Sequence, residues 1–214
     1  RHTRSLCDWS SDVCSSDLER SQVPAMAYES IVELVAEKFH AKEALITALN
    51  PNATNAPATL KVPNTLTSPY RPSKAARLHV SLAEKTICAL DETGKVIALF
   101  PCSIAAAQEK RPVGTLTIVT AAANPNYTFD PVNFPELDET QRAYGKLMIP
   151  PGPNNPVGTV WIGLSKPGYG IHGTPHPEMI GKTESHGCFR LANWNAERLL
   201  QIVTTGLPIE VEEE

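Results

Sequence analysis

The chain lacks what a membrane protein, a nucleic-acid binder or a disulfide scaffold would need. Its longest apolar stretch, Val96 to Ala107, is broken by Pro101, Cys102 and Ser103, too short and too interrupted to cross a bilayer as a helix. No run of Lys or Arg stands out, and 19 basic against 23 acidic residues give a formal charge of -4, so nucleic acid is not an expected partner. Of the 5 cysteines, Cys7 and Cys14 fall in a segment set aside below. The odd remainder, Cys88, Cys102 and Cys188, makes no disulfide framework. Hydrophobic residues at 42% and charged residues at 20% exclude wholesale disorder. What the chain has in excess is proline, 19 of 214 residues, about 9% against a usual ~5%, which favours a loop-rich β protein over a helical bundle.

Arg1 to Leu18 (RHTRSLCDWSSDVCSSDL) shows no apolar period and repeats itself, Cys7-Asp8-Trp9-Ser10-Ser11-Asp12-Val13 being followed by Cys14-Ser15-Ser16-Asp17-Leu18. The stretch resembles a translated sequencing-adapter peptide rather than a natural leader, so residues 1–20 are expected to be a non-native or disordered tail. The genuine N-terminus is then expected to be missing, and any membrane association would run through a leader or anchor lost with it.

Residues 25–64 read as a small helical module. Ile31, Leu34, Val35 and Phe39 recur at helical spacing, His40-Ala41 interrupts, and Leu45, Ile46 and Leu49 form a second stripe that Asn50-Pro51-Asn52 stops. Leu60–Pro63 is a strand candidate. Helix, helix, ALNPN and LKVPN together resemble a LysM-like peptidoglycan-binding module without its opening strand, and fit a generic helical hairpin equally well. Residues 65–74 form a Pro/Ser/Thr-rich linker. Residues 75–212 read as a mostly β domain, with strands at Arg77–Val80, Thr86–Leu90, Val96–Phe100, Gly114–Val119 and Thr159–Leu164, a single helix over Asn193–Val203, and a last strand Pro208–Val211. Asp91-Glu92-Thr93-Gly94 makes the second and third strands a hairpin with Cys88 opposite Val96–Leu99. A Cys88–Cys102 bridge would then be strained, and both thiols are expected as small buried hydrophobes. The long Pro/Asn-rich connection from Ala123 to Pro156 is expected to be a substrate lid.

The chemistry concentrates in Ile171 to Leu191. Three of the 6 histidines (His172, His176, His186) and the isolated thiol of Cys188 fall between His172 and Cys188. A free thiol near its ordinary pKa is mostly protonated at neutral pH, so a nucleophilic cysteine needs a neighbouring base or a positive environment. His172 and His186 can supply it. Gly187 permits a sharp turn that leaves the amides around Cys188 facing a substrate oxygen. Nucleophile, base and oxyanion donors are the equipment of acyl transfer through a thioester. The same four side chains, His172, His176, His186 and Cys188, could instead ligate zinc, although Pro175 and Pro177 restrain His176 and the gap between His186 and Cys188 is short for a zinc site. Ordinary packing is the third reading.

His172-Gly173-Thr174 followed by Ser185-His186-Gly187-Cys188-Phe189-Arg190-Leu191 resembles the L,D-transpeptidase catalytic domain, the YkuD family, whose signature is a His, a gap, and Ser/Thr-His-Gly-Cys. The likeness extends through Arg111-Pro112-Val113-Gly114-Thr115, Pro151 to Gly158, and Trp161 to Leu164, covering Ala75 to Val211. Phe189 replaces the usual aliphatic residue, and Arg111 stands where Thr is common, a change that bears on the groove rather than on a catalytic group.

The resemblance implies a β-sandwich or barrel without metal or organic cofactor, acting on peptidoglycan stem peptides in the periplasm or extracytoplasmic envelope. It implies Cys188 as nucleophile toward the third residue of a stem tetrapeptide and His172 as general base and acid. Gly173 would orient that imidazole through its carbonyl, and His186, Gly187 and Cys188 would line the oxyanion site. Arg190 would bind a substrate carboxylate or make a structural salt bridge, and Ser185 would support the turn beside the substrate. D-alanine leaves, and an amine on a neighbouring stem, a wall-anchored lipoprotein lysine, or water resolves the thioester. His176, Trp161, Trp194, His79 and His40 read as surface or packing residues.

Overall fold

The structure, a computed structural model, describes residues 12–51, 59–65, 73–134, 137, 139–182, 185 and 187–212. Residues 1–11 of the adapter-like stretch, and the linker from 66 to 72, lie outside them. Within that stretch, residues 12–20 are described and are helical. They belong to helix α1 (Asp12–Ser21), in which Asp17 is buried and pairs with Arg20 at 3.2 Å.

The two amphipathic stripes form helices α2 (Ile31–Lys38) and α3 (Glu43–Leu49), separated by the break at His40-Ala41. Ser30 caps α2, its hydroxyl accepting from the Glu33 N–H at 2.9 Å, which satisfies one of the orphan donors of the first turn. Leu60–Pro63 does not form a strand, because no ladder partner lies beside it among the described residues. The Asn50 side chain clasps Lys61 instead, donating to its carbonyl and accepting from its N–H, each at 2.8 Å.

The β domain opens with β1 (Arg77–Ser81), β2 (Thr86–Leu90) and β3 (Val96–Pro101). Alternation in β1 and β2 turns Leu78, Val80, Ile87 and Ala89 inward, all fully buried. The β2–β3 turn is built by Asp91, whose Oδ1 accepts from the N–H groups of Thr93 and Lys95. The resulting register sets Cys88 opposite Leu99, within the expected window, and Thr86 opposite Pro101. Cys102 is fully buried, and burial pushes its thiol up to about 12. Cys88 is not buried as expected. Its neighbours Ile87 and Ala89 face the core, so alternation turns Cys88 to the half-exposed outer face beside His79.

Next come β4 (Gly114–Ala123), β5 (Tyr127–Phe129), helix α4 (Glu139–Ala143), β6 (Leu147–Ile149), β7 (Val160–Leu164), β8 (Gly170–His172), β9 (Phe189–Arg190), helix α5 (Asn193–Ile202) and β10 (Pro208–Val211). One curled eight-stranded sheet runs in the order β3-β2-β1-β10-β4-β7-β8-β9. The final strand lies parallel to the first, Leu78 opposite Ile209, and antiparallel to β4. Helix α5 turns Ala196, Leu199 and Ile202 onto the sheet, completing a core with Ile118, Ile162, Ile171 and Phe189. The helix is thus not alone in this domain, because α4 precedes it.

The connection from Ala123 to Pro156 is not a bare loop. It carries a second, two-stranded sheet, β5–β6, over its own small core of Phe129, Leu137 and Ile149. Fully buried Asn155 ties this unit to the domain, donating through Nδ2 to the Pro150 carbonyl at 2.8 Å and to that of Ile149 at 3.4 Å, while its Oδ1 accepts from the Val157 N–H.

Candidate active site

Pairing across β7, β8 and β9 decides which side chains meet. Trp161 lies opposite His172 and Gly163 opposite Gly170, while Ile171 lies opposite Phe189 and His172 opposite Arg190. Side chains at paired positions share a face and alternate along a strand. Ile162, Ile171 and Phe189 therefore fall on the core face and are fully buried. Trp161, His172 and Arg190 share the other face, joined by Cys188, one residue before β9. The candidate nucleophile and base are diagonal neighbours on one sheet face, and the sheet's far edge supplies both.

His172 is 5% exposed, and its Nδ1 meets the Gly173 carbonyl at 2.6 Å. That contact fixes the hydrogen on Nδ1 and leaves Nε2 as a bare acceptor. The Trp161 ring stacks on the imidazole with centroids 5.7 Å apart, so Trp161 does pack, but against the candidate base. Burial, with the nearby Arg190 charge adding to it, lowers the His172 pKa from 6.5 to about 4. The ring is neutral at neutral pH.

The Cys188 sulfur lies over the β7–β8 hairpin turn, 3.7 Å from the Gly168 carbonyl. Burial raises the thiol pKa, while the Gly170 amide and the Arg190 charge pull it down. At rest the thiol and the imidazole are thus both neutral.

The turn before Cys188 is stapled by Ser185. Its hydroxyl donates to the Cys188 carbonyl and accepts from the Gly187 N–H at 3.1 Å. This commits the Gly187 amide to the turn and removes it from the donors expected to face a substrate oxygen. Gly187 itself has φ 153°, and a Cβ there would lie 2.9 Å from the Tyr169 ring, so glycine is required on both counts. His186 lies outside the described residues.

Arg190 has no carboxylate partner among the described residues. It faces Cys188 and Tyr127, whose negative forms would support its charge. Tyr127, on β5, is a site residue that the sequence did not reveal. Burial raises its phenol to about 12, with the acidic groups of Asp17 and Cys188 adding and Arg190 opposing. Tyr127 is one of two tyrosines in a Pro/Asn-rich connection, and nothing local marks it for that placement.

The other described histidines make their contacts elsewhere. His176 lies on an exposed loop, 3.6 Å from Glu178. His79 pairs with Glu212 at 3.1 Å, and His40 stacks on Trp194 with centroids 5.3 Å apart. Among the described residues, no three His, Cys, Asp or Glu side chains converge to hold a metal. Arg111 donates to the Ala105 and Ala106 carbonyls at 2.9 and 3.3 Å, bracing the loop behind the Ser185 turn. No helix among the described residues is long and apolar enough to cross a membrane.

A family model for the L,D-transpeptidase catalytic domain, YkuD, matches residues 75–211. A protein named L,D-transpeptidase YkuD in Bacillus licheniformis is 41% identical over 75 residues, 34% of this chain and 46% of that one. Its namesake in Bacillus subtilis is 27% identical over 150 residues, 70% of each chain. The solved L,D-transpeptidase from Mycobacterium smegmatis shares the fold with a TM-score of 0.50 at 22% identity, over 65% of this chain and 59% of that one. The chain thus spans between about half and seven-tenths of these relatives' lengths.

Proposed function

The chain belongs to the L,D-transpeptidase catalytic-domain family, a family of enzymes, and from that premise we propose that it transfers an acyl group from a peptidoglycan stem tetrapeptide through a thioester on Cys188. The carrying observation is one sheet face that holds a half-buried thiol, an imidazole with a free Nε2, and a guanidinium that meets no carboxylate among the described residues.

Cys188 Sγ attacks the carbonyl of the third stem residue while His172 Nε2 takes the thiol proton. A neutral base is essential here, and the buried ring provides it at neutral pH. The carbonyl oxygen becomes an oxyanion, held by the Cys188 N–H and the neighbouring turn. The bond to D-alanine then breaks, and His172 returns its proton to the departing amine. An amine on a second stem attacks the thioester, loses a proton to His172, and the amide product leaves with the thiol restored. Arg190, whose planar fork suits a carboxylate, anchors the stem, with Tyr127 closing over it from β5. A lipoprotein lysine or water in place of the second stem would give wall anchoring or trimming. On this reading the protein works in the extracytoplasmic envelope, and the helical module at residues 25–64 serves as a LysM-like wall contact.

Incubation with a disaccharide tetrapeptide, followed by mass spectrometry of the muropeptides, separates cross-linking from trimming. Cys188→Ala should abolish D-alanine release, and release at the wild-type rate would refute the mechanism. A zinc hydrolase, the rival suggested by the three histidines, would instead lose activity to a chelator and regain it with zinc.

A further inference from the structure

We infer that the N-terminal helical module takes part in the chemistry from behind: Glu37 and Asn193 are positioning residues, through which helix α2 fixes the Gly158–Gly173 backbone that orients the His172 imidazole. This rests on the reading of His172 as the base.

Asn193 opens helix α5 and is fully buried, yet every one of its side-chain groups is matched. Its Oδ1 accepts from the Thr159 N–H at 3.1 Å. Its Nδ2 donates to Glu37 Oε1 at 2.8 Å and to the Pro153 carbonyl at 3.2 Å. These partners fix which end of the amide is oxygen. The same Oδ1 fills the space where a Cβ on either Gly158 or Gly173 would have to go. Gly173 is thus gripped between the Asn193 oxygen and the Gly158 backbone, with its N–H donating to the Val160 carbonyl at 3.2 Å. It is the Gly173 carbonyl that holds His172 Nδ1. If this backbone shifts, the carbonyl moves and Nε2 swings relative to the sulfur.

Glu37 belongs to the module, not to the β domain, and is only 9% exposed. A tethered module with no part in the site would leave that carboxyl in water, since burying it is costly. Burial raises its pKa to about 7, with Glu197 and Glu33 adding and the Asn193 amide opposing. Burial raises the Tyr28 phenol to about 12, with the same three glutamates adding to it. The docking is reinforced on both sides. His40 stacks on Trp194 in the first turn of α5. Met26 exchanges backbone hydrogen bonds with the 151–154 turn, its N–H donating to the Pro151 carbonyl at 2.9 Å and its carbonyl accepting from Asn154 at 3.1 Å. All three contacts meet the two segments that stand behind Gly173.

The test uses the full chain and compares Glu37→Ala with Glu37→Gln, which retains a carbonyl oxygen for the Asn193 amide. Two readouts are taken: the second-order rate of Cys188 acylation by imipenem, and the His172 imidazole tautomer by ¹⁵N NMR at neutral pH. Glu37→Ala should slow acylation about tenfold, the order expected when a reacting group is slightly misplaced, and should mix the His172 tautomers. Glu37→Gln should stay close to wild type in both. If alanine unfolds the module, Glu37→Met repeats the comparison with the space filled and the acceptor absent. Unchanged acylation and an unchanged His172 signal in Glu37→Ala would overturn the proposal, as would a Gln variant as impaired as the Ala variant. Failure of imipenem to acylate the wild type would instead sink the nucleophile reading, while the tautomer comparison would still decide the positioning role.

Discussion

Acid should weaken this fold through His172, by an amount set by where the ring sits. The imidazole is buried in its neutral form, with a pKa lowered from 6.5 to about 4. In the unfolded chain it would titrate at its ordinary value. Between those two values the unfolded state binds a proton that the folded state refuses, so stability rises with pH through this window and is lost as pH falls. At about pH 4.5 the loss assignable to this one ring is about 2–3 kcal/mol. Glu37 acts in the opposite sense. Its folded pKa is raised from 4.5 to about 7, so its contribution is present at low pH and declines as pH rises through that range. The wild-type curve therefore mixes two opposed slopes. Comparison with His172→Gln removes one and leaves the other common to both proteins. Urea unfolding at about pH 7.5 and about pH 4.5 should show the stability difference between wild type and variant shifting by about 2–3 kcal/mol toward the variant. Two profiles that run parallel would mean that the folded ring takes a proton as readily as the unfolded one, and the account of a ring kept neutral by burial would fall.

Gly173→Ala places a methyl group on the Asn193 oxygen and 3.2 Å from the Gly158 Cα. It should cost about 1–3 kcal/mol in thermal or urea unfolding and slow imipenem acylation. Asn155→Ala strips the amide that joins the β5–β6 unit to the turn at Pro150. It should lower stability by about 1–3 kcal/mol and open the exposed α4–β6 stretch to trypsin, with cleavage at Arg142 and Lys146 read by mass spectrometry. Ile162→Ala, fully buried beneath the site face, should cost about 2–5 kcal/mol in urea unfolding.

Where local pattern and tertiary environment agree, the sequence was readable. The alternating runs became β1, β2 and β10, and the Asp91 turn set the hairpin register. The strands β5, β6, β8 and β9 escaped because each is only two or three residues long, too short to show a period. Their stability comes from neighbours brought in by the rest of the chain. Cys88 was legible in principle, since Ile87 and Ala89 on either side face inward and alternation alone turns it out. His172, Gly173 and Cys188 were visible because a motif carries them. Tyr127, and the Glu37–Asn193 bond across 156 positions, were not, because nothing local marks a tyrosine or a glutamate that meets its partner only after folding. The resting charge state of the thiol was also beyond reach, since it depends on burial.

The sheet is closed from the wrong end of the chain. Strand β10 fits between β1 and β4, so on the ribosome the hairpins that precede it emerge while the slot between them stands empty. Until Pro208–Val211 leave the exit tunnel, both flanking strands present unpaired backbone to any extended segment nearby. Premature stops that spare every residue of the site would still deliver a polypeptide missing its central stave. Such products should partition to proteases and holdases rather than to partly active enzyme.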